Sequence, residues 1–389
     1  MAALLLDLTH TSHTRARTGI QRVARSLRRA LAGKATAVCL DPFEDAWRPL
    51  EDWEEANLAA RHPSSGRGER WPMAAQVRGR LRRWNHRRPA LDEPSNVAAG
   101  AIVPEVFSAG VAAALPRLFN AAAGPHVALF HDAIALQFPE YSPRSTLARF
   151  PSYLRELLAF DGIAANSEAS RDSLLDYWRW LGVSEHPPVV ALPLGLDAPP
   201  ADAGPTPDAA NPVVLCVASI EGRKNHASLL DACEILWARG VRFQLRLIGL
   251  AHDETGRPAL ERLKRLQSAG RPVLYEGPQG DDALEAAYRA CAFTVYPSLA
   301  EGFGLPVAES LARGKPCVCR TDGALGEIAR GGGCLPAGSA GPAELAAAIG
   351  RLIESPGERA ALTAAARDRR FDGWDHYARR LLEWMGSLP

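Results

Sequence analysis

Along most of this chain, short apolar runs alternate with stretches in which apolar residues recur every three or four positions. Such short runs suit strands, and the wider spacing is one face of a helix. In the first half the pattern predicts strands at 3–7, 35–40, 127–130, 162–165 and 189–192, and helices at 19–31, 145–160 and 168–181. In the second half it predicts strands at 213–218, 244–248, 273–276, 293–296 and 316–319, alternating with helices near 227–238, 258–268, 282–290 and 306–313. After Gly341 the pattern stays helical to the end. Strand followed by helix, repeated, marks βαβ units and parallel sheets. The fold class expected is therefore α/β, with two Rossmann-like, doubly wound domains facing a central cleft.

The first domain is expected over 1–196 and the second over 213–373. Between them, 197–212 carries Pro199, Pro200, Pro205, Pro207 and Pro212 among Ala, Asp and Gly, a composition that holds neither a helix nor a central strand. A last helix, 374–389, is expected to pack back on the first domain. Segment 44–96 fits the alternation poorly and reads as an irregular, Arg-rich insertion. No repeat recurs at the periods of solenoids or propellers.

Composition narrows the classes. Of 389 residues, 47% are hydrophobic and 23% charged, the profile of an ordinary globular protein with a sizeable core. A formal net charge of +1 gives no global field for nucleic acid, so any basic surface is local. The seven cysteines are scattered with no Cys-x-x-Cys pair, which predicts reduced core thiols and no structural zinc. The apolar start Met1–Leu8 is short for a signal peptide and lacks a basic flank, so a cytoplasmic protein is expected. No run reaches the ~18 apolar residues of a spanning helix, which leaves peripheral contact at the inner face of the membrane.

The sharpest chemical signal runs from Tyr296 to Gly314: a strand end, a glycine-bearing turn, Pro306 near a helix start and Gly314 at its close. It places Glu301 in the loop at the carboxyl end of a strand and Glu309 about one turn into the helix. The backbone N–H groups of Gly302, Phe303, Gly304 and Leu305 would point outward at a helix N-terminus, where anions bind. Two carboxylates beside an anion site are tolerable if they grip sugar and ribose hydroxyls. A second signal, Ser219-Ile-Glu-Gly-Arg223-Lys224-Asn225-His226, puts two adjacent cations at another strand end, suited to a diphosphate leaving group. Only Lys34, Lys224, Lys264 and Lys315 are lysines among 45 basic residues, so lysine at 224 stands out. A third strand ends in His131-Asp132. Near the start, Gly19 opens a helix after the first strand and permits close backbone approach to a phosphate.

The chain from Gly19 to Trp374 resembles the retaining GT-B glycosyltransferases marked by Glu-x7-Glu (glycosyltransferase family 4), here Glu301 and Glu309, with the resemblance weakest between Glu44 and Val97. Within that family it is most similar to bacterial mannosyltransferase-like enzymes of surface polysaccharide assembly. The resemblance implies that Glu301 faces the donor sugar, that Glu309 binds the ribose hydroxyls and that His131 contacts the transferred sugar. The family often has Arg five residues before its Lys, where this chain has Ser219; Arg223 is adjacent instead, as in an Arg-Lys-Asn subgroup. Base recognition is expected near Tyr275, Glu276 and Gly277. The implied reaction moves a hexose, first of all mannose from GDP-mannose, to a glycan or lipid-linked acceptor with retention of configuration. No Asp-x-Asp triplet occurs, so no metal and no other cofactor is expected. A nucleotide-sugar epimerase, a phosphorylase or a non-catalytic nucleotide-sugar binder would share these features.

The stretch 67–88 holds Arg67, Arg70, Arg78, Arg80, Arg82, Arg83, Arg87 and Arg88 with Trp71 and Trp84, against Glu69 alone. Arg and Trp together suit a headgroup layer or a lipid-diphosphate acceptor. A solvated arm is the other reading; nucleic acid is not favoured, because no recognised nucleic-acid-binding element accompanies the patch.

Overall fold

The computed structural model describes residues 3–60, 68–85, 97–197 and 211–389. The chain divides into two compact units: Met1–Asp132, Ala148–Gly195 and Trp374–Pro389 form one, Ala133–Leu147 and Leu196–Gly373 the other.

The first unit is built on strands β1 (Leu4–Asp7), β2 (Ala35–Asp41), β3 (Ala46–Pro49), β4 (Ala101–Val103), β5 (His126–Phe130), β6 (Gly162–Ala165) and β7 (Val189–Ala191). They form one sheet in the order β3-β2-β1-β4-β5-β6-β7, parallel throughout except for the β2–β3 pair. Its central strands are continuous apolar runs because helices cover both faces. Gly162 at the start of β6 shows how the last helix, Trp374–Met385, seats on this unit: a Cβ there would lie 2.7 Å from Trp384 Cη2, so only glycine lets the indole settle on the strand.

The second unit carries β8 (Val213–Val217), β9 (Gln244–Ile248), β10 (Val273–Tyr275), β11 (Phe293–Tyr296), β12 (Cys317–Cys319) and β13 (Cys334–Pro336). All are parallel, in the order β10-β9-β8-β11-β12-β13. This is the doubly wound order, and winding reverses between β8 and β11. All seven cysteines are free thiols, six of them buried.

Several elements depart from the sequence pattern. The segment expected to be irregular contains β3 and the helices Asp52–Ala59 and Met73–Trp84. The apolar pattern missed them because charge holds this region together. Arg48, buried on β3, pairs with Asp41 Oδ2 at 2.9 Å and with Glu54 Oε2 at 2.7 Å. Segment Ala133–Leu147, expected in the first domain, groups with the second unit, where the Tyr141 ring lies against Gly222. Residues 198–210 of the expected linker, and Arg67, Arg87 and Arg88, lie outside the described residues. Among the described residues no helix is long and apolar enough to cross a membrane.

Candidate active site

Where winding reverses, the connections leaving β8 and β11 turn to opposite faces of the sheet and open a crevice at the strand ends. Both chemical motifs of the second unit sit there. After β8 the chain passes Ser219 and makes one tight turn, Gly222–Lys224. Asn225 follows in the left-handed region at φ 55°, a conformation asparagine tolerates better than most residues. Its side chain donates to the Ala340 carbonyl at 2.9 Å and to that of Pro297 at 3.3 Å. That kink starts the helix His226–Ala238 and leaves Arg223 and Lys224 at the strand end. The Leu299 amide donates to the Arg223 carbonyl at 2.9 Å, stitching the loop after β11 to the loop after β8.

The side chains then converge. Lys224, only 7% exposed, donates to the Tyr296 hydroxyl at 2.6 Å and forms an ion pair with Glu301 Oε1. The Tyr296 hydroxyl donates to that same oxygen at 2.8 Å. Arg223 Nη1 lies 3.1 Å from Glu301 Oε2, and its Nη2 lies 3.0 Å from Glu221 Oε1. Burial alone would push the Glu301 carboxyl up, but the Lys224 and Arg223 charges outweigh it and hold it at about 2. Burial, and then the Arg223 charge, pull the Lys224 ammonium down against the opposing carboxylates. Sequence reasoning expected the cations to face an anion and Glu301 to face hydroxyls. In the structure Glu301 is also the counter-ion of both cations, and with Glu221 the formal charges cancel.

Gly304 precedes the helix Leu305–Ala312 with φ 101°, and a Cβ there would meet Leu325 Cδ2 at 2.7 Å. A left-handed residue without a side chain is what this turn requires. The Val307 and Ala308 amides close back on the Gly304 carbonyl at 3.0 and 3.2 Å, and Pro306 has no N–H. The turn Gly302, Phe303, Gly304 and Leu305, where the sequence predicted backbone N–H groups facing an anion, leads directly into this helix start. Glu309 is buried one turn on, and the Tyr288 hydroxyl donates to its Oε2 at 3.4 Å.

Tyr275 and Glu276 stand at the carboxyl end of β10, two strands away from β8. The Tyr275 hydroxyl donates to the Gly249 carbonyl at 3.0 Å, and Glu276 is held by Arg246 through a two-point ion pair. Its carboxylate is thus already engaged.

In the first unit His131 is buried at the end of β5. Asn166 Nδ2 donates to its Nδ1 at 2.9 Å, and its Nε2–H donates to the Pro104 carbonyl at 2.7 Å. Burial lowers the ring's pKa from its ordinary value, and both ring nitrogens are engaged in hydrogen bonds. Gly19 begins the helix Gly19–Ala30, where a Cβ would meet nothing within 4 Å; the chain itself does not demand glycine there. Ser167 caps the helix Glu168–Trp180 by accepting from the Ser170 amide at 3.0 Å. One group among the described residues, His13, Cys39 and Glu54, is tight enough for a metal ion. Arg48 already occupies both Glu54 oxygens, at 2.7 and 2.9 Å, so the donor set fits an ion pair better than a cation.

Sequence reasoning missed Tyr296, Glu221, Tyr288 and, in the first unit, Glu105. The last accepts from the His10 and Thr11 amides at 3.1 and 3.2 Å and so shapes the loop after β1. Tyr296 was legible in principle: a tyrosine ending a buried strand must find a partner for its hydroxyl.

Two Rossmann-like α/β domains of these topologies make the GT-B fold, and the solved structures this chain is similar to carry it. Sucrose-phosphate synthase from Thermosynechococcus elongatus matches with a TM-score of 0.70 at 19% identity, over 100% of this chain and 99% of that one. Anabaena Alr3699/HepE in complex with UDP and glucose matches with a TM-score of 0.70 at 17% identity, over 100% of both chains. Residues 202–369 match the family of glycosyl transferases group 1. Among curated proteins, the serotype-specific mannosyltransferase WbdA of Escherichia coli is 25% identical over 371 residues, 89% of this chain and 42% of the relative. A D-inositol 3-phosphate glycosyltransferase of Thermomonospora curvata is 43% identical over 114 residues, 28% of this chain and 26% of the relative. The matches therefore span less than half the length of these two curated relatives.

Proposed function

We propose that this protein is a glycosyltransferase that moves a hexose from a nucleotide sugar to a hydroxyl of a glycan or lipid-linked acceptor. The observation that carries this reading is the cluster of Arg223, Lys224, Tyr296 and Glu301 at the point where the second sheet reverses its winding. Breaking the bond between the anomeric carbon and the diphosphate oxygen builds positive charge on the sugar and negative charge on the leaving group. Arg223 and Lys224, with the turn Gly302 to Leu305, would take up that negative charge. When a diphosphate arrives it competes with Glu301 for the two cations. The freed carboxylate oxygens then accept from a sugar hydroxyl, which turns the counter-ion into a donor-binding group. Glu309 would take the ribose hydroxyls and Ser219 a phosphate oxygen, while Tyr275 and Glu276 would border the base. His131 and Gly19 enter the proposal only as what the family resemblance implies.

Retention of configuration, independence of metal and mannose as the transferred sugar are the finer parts of the proposal. The missing Asp-x-Asp triplet supports metal independence. The mannosyltransferase relatives favour GDP-mannose, whereas the HepE structure holds UDP. The test is a panel of GDP- and UDP-sugars incubated with and without a glycan or lipid-linked acceptor extract. Acceptor-dependent release of the nucleoside diphosphate is the expected result. Conversion of donor alone to an isomeric nucleotide sugar, or tight binding with no turnover over any acceptor, would overturn it.

A further inference from the structure

One surface of the first unit takes no part in the proposed chemistry: the outer face of the helix Met73–Trp84. Its inner face carries Ala75 and Gly79, both buried, and a Cβ on Gly79 would lie 2.8 Å from Phe43 Cβ. Small residues therefore let this helix lie close on the loop that follows β2. At about 3.6 residues per turn, Met73, Val77, Leu81 and Trp84 fall on a single stripe turned the opposite way. They are 70%, 47%, 49% and 77% exposed. A helix of a globular protein normally turns such a stripe inward. Here the order is reversed.

Charge says what the stripe is for. The helix has no acidic residue and four arginines, Arg78, Arg80, Arg82 and Arg83. Arg80 lies along the edge of the stripe with its guanidinium 4.9 Å from the Phe43 ring centroid, while Arg78 and Arg83 border it on the two sides. Ion pairs from Arg78 to Glu51, from Arg82 to Glu44 and Glu51, and from Arg83 to Asp45 anchor the arginines at the base of the helix. Arg78 and Arg83 nonetheless keep 47% and 60% of their side chains exposed, against 11% and 20% for Glu44 and Glu51; Asp45, the partner of Arg83, is the one of these acids that stays exposed, at 54%. The face that meets solvent is thus an apolar stripe rimmed by cations.

We propose that this face docks the protein on a membrane bearing anionic phospholipids. The helix lies in the interfacial plane with Met73, Val77, Leu81 and Trp84 in the acyl boundary and Arg78, Arg80 and Arg83 among the lipid phosphates. A second copy of the chain is the poorer occupant, because stacking two such faces brings like charges together. A peptide ligand is poorer too, since a stripe one helix wide offers no groove. This inference does not rest on the transferase reading.

The test is flotation of the full chain with phosphatidylcholine vesicles, and with vesicles containing about one-quarter phosphatidylglycerol. The protein is expected to float with the anionic vesicles and not with the neutral ones. The triple variant Val77→Ser, Leu81→Ser, Trp84→Ser should lower the bound fraction about ten-fold or more. These side chains face solvent, so its thermal stability and its response to GDP or UDP should match the wild type. Failure of the wild type to float, equal binding to neutral vesicles or equal flotation of the variant would each overturn the proposal. So would wild-type dimers that the triple variant converts to monomers.

Discussion

Lys224 and Glu301 are buried charges that tolerate burial because each supplies the other's counter-ion. Removing one partner of such a pair costs roughly 3–5 kcal/mol, chiefly through the charge left behind. Lys224→Met should fall near the low end of that range, because Arg223 and the Tyr296 hydroxyl still hold Glu301. Urea unfolding should show a loss of about 3 kcal/mol, and adding Glu301→Gln should recover part of it. A double variant as unstable as the sum of the singles would mean the two residues do not act as a pair.

The pH dependence has two opposite contributions. Glu301 has a folded-state value of about 2 against an ordinary 4.5, so its stabilisation is complete above pH 4.5 and is lost as pH falls towards 2. Asp7, raised by burial and by the Glu105 charge from 3.8 to about 7, contributes stability that is present below 3.8 and lost as pH rises through 7. Asp7→Asn keeps the acceptor used by Thr9 and removes the ionisation. It should raise the Tm at about pH 8 and change it little at about pH 4, by calorimetry at the two values. Lysine scarcity was a fair guide at this scale. Lys224 is in the cluster, and Lys315 ties the Arg289 and Cys291 carbonyls at 2.9 and 2.8 Å.

Among the elements, those that position the cluster are the ones whose sequence pattern is most regular. β9 and β11 appear in the structure at the expected residues: β11 is buried at every position, and in β9 Leu245, Leu247 and Ile248 are buried while Gln244 and Arg246 are half-buried. β3, β4 and β13 were not legible. They are three or four residues long, and β3 depends on Arg48 bonded to carboxylates rather than on apolar burial. The helix Met73–Trp84 was hidden for the opposite reason, since its apolar stripe faces outward. For the site, strand ends could be read and side-chain convergence could not. Arg223 and Glu301 are 78 residues apart by their numbering, and only the sheet order makes their strands neighbours. Gly304 joins the second strand to its helix at φ 101°. Gly304→Ala should cost about 1–2 kcal/mol from the left-handed backbone alone. The contact with Leu325 adds to that, and the variant should bind nucleotide more weakly by titration.

At the scale of the whole molecule, two Rossmann-like units share one chain that leaves the first unit after Asp132 and again after Gly195, and returns to it at Ala148 and at Trp374. Only the second holds the cation–carboxylate cluster, so nucleotide binding should be a property of that unit. Because the proposed leaving group is stabilised by side chains and amides, turnover in excess EDTA should equal turnover in its absence. A requirement for Mg²⁺ or Mn²⁺ would contradict this account of the charge. The most direct measurement is calorimetric titration of GDP and UDP, in EDTA, into the wild type and into Lys224→Met shown by circular dichroism to be folded. The account predicts one nucleoside diphosphate per wild-type chain and an affinity at least about ten-fold weaker for the variant. Equal affinity in the two proteins, or no binding of either nucleotide to the wild type, would contradict it.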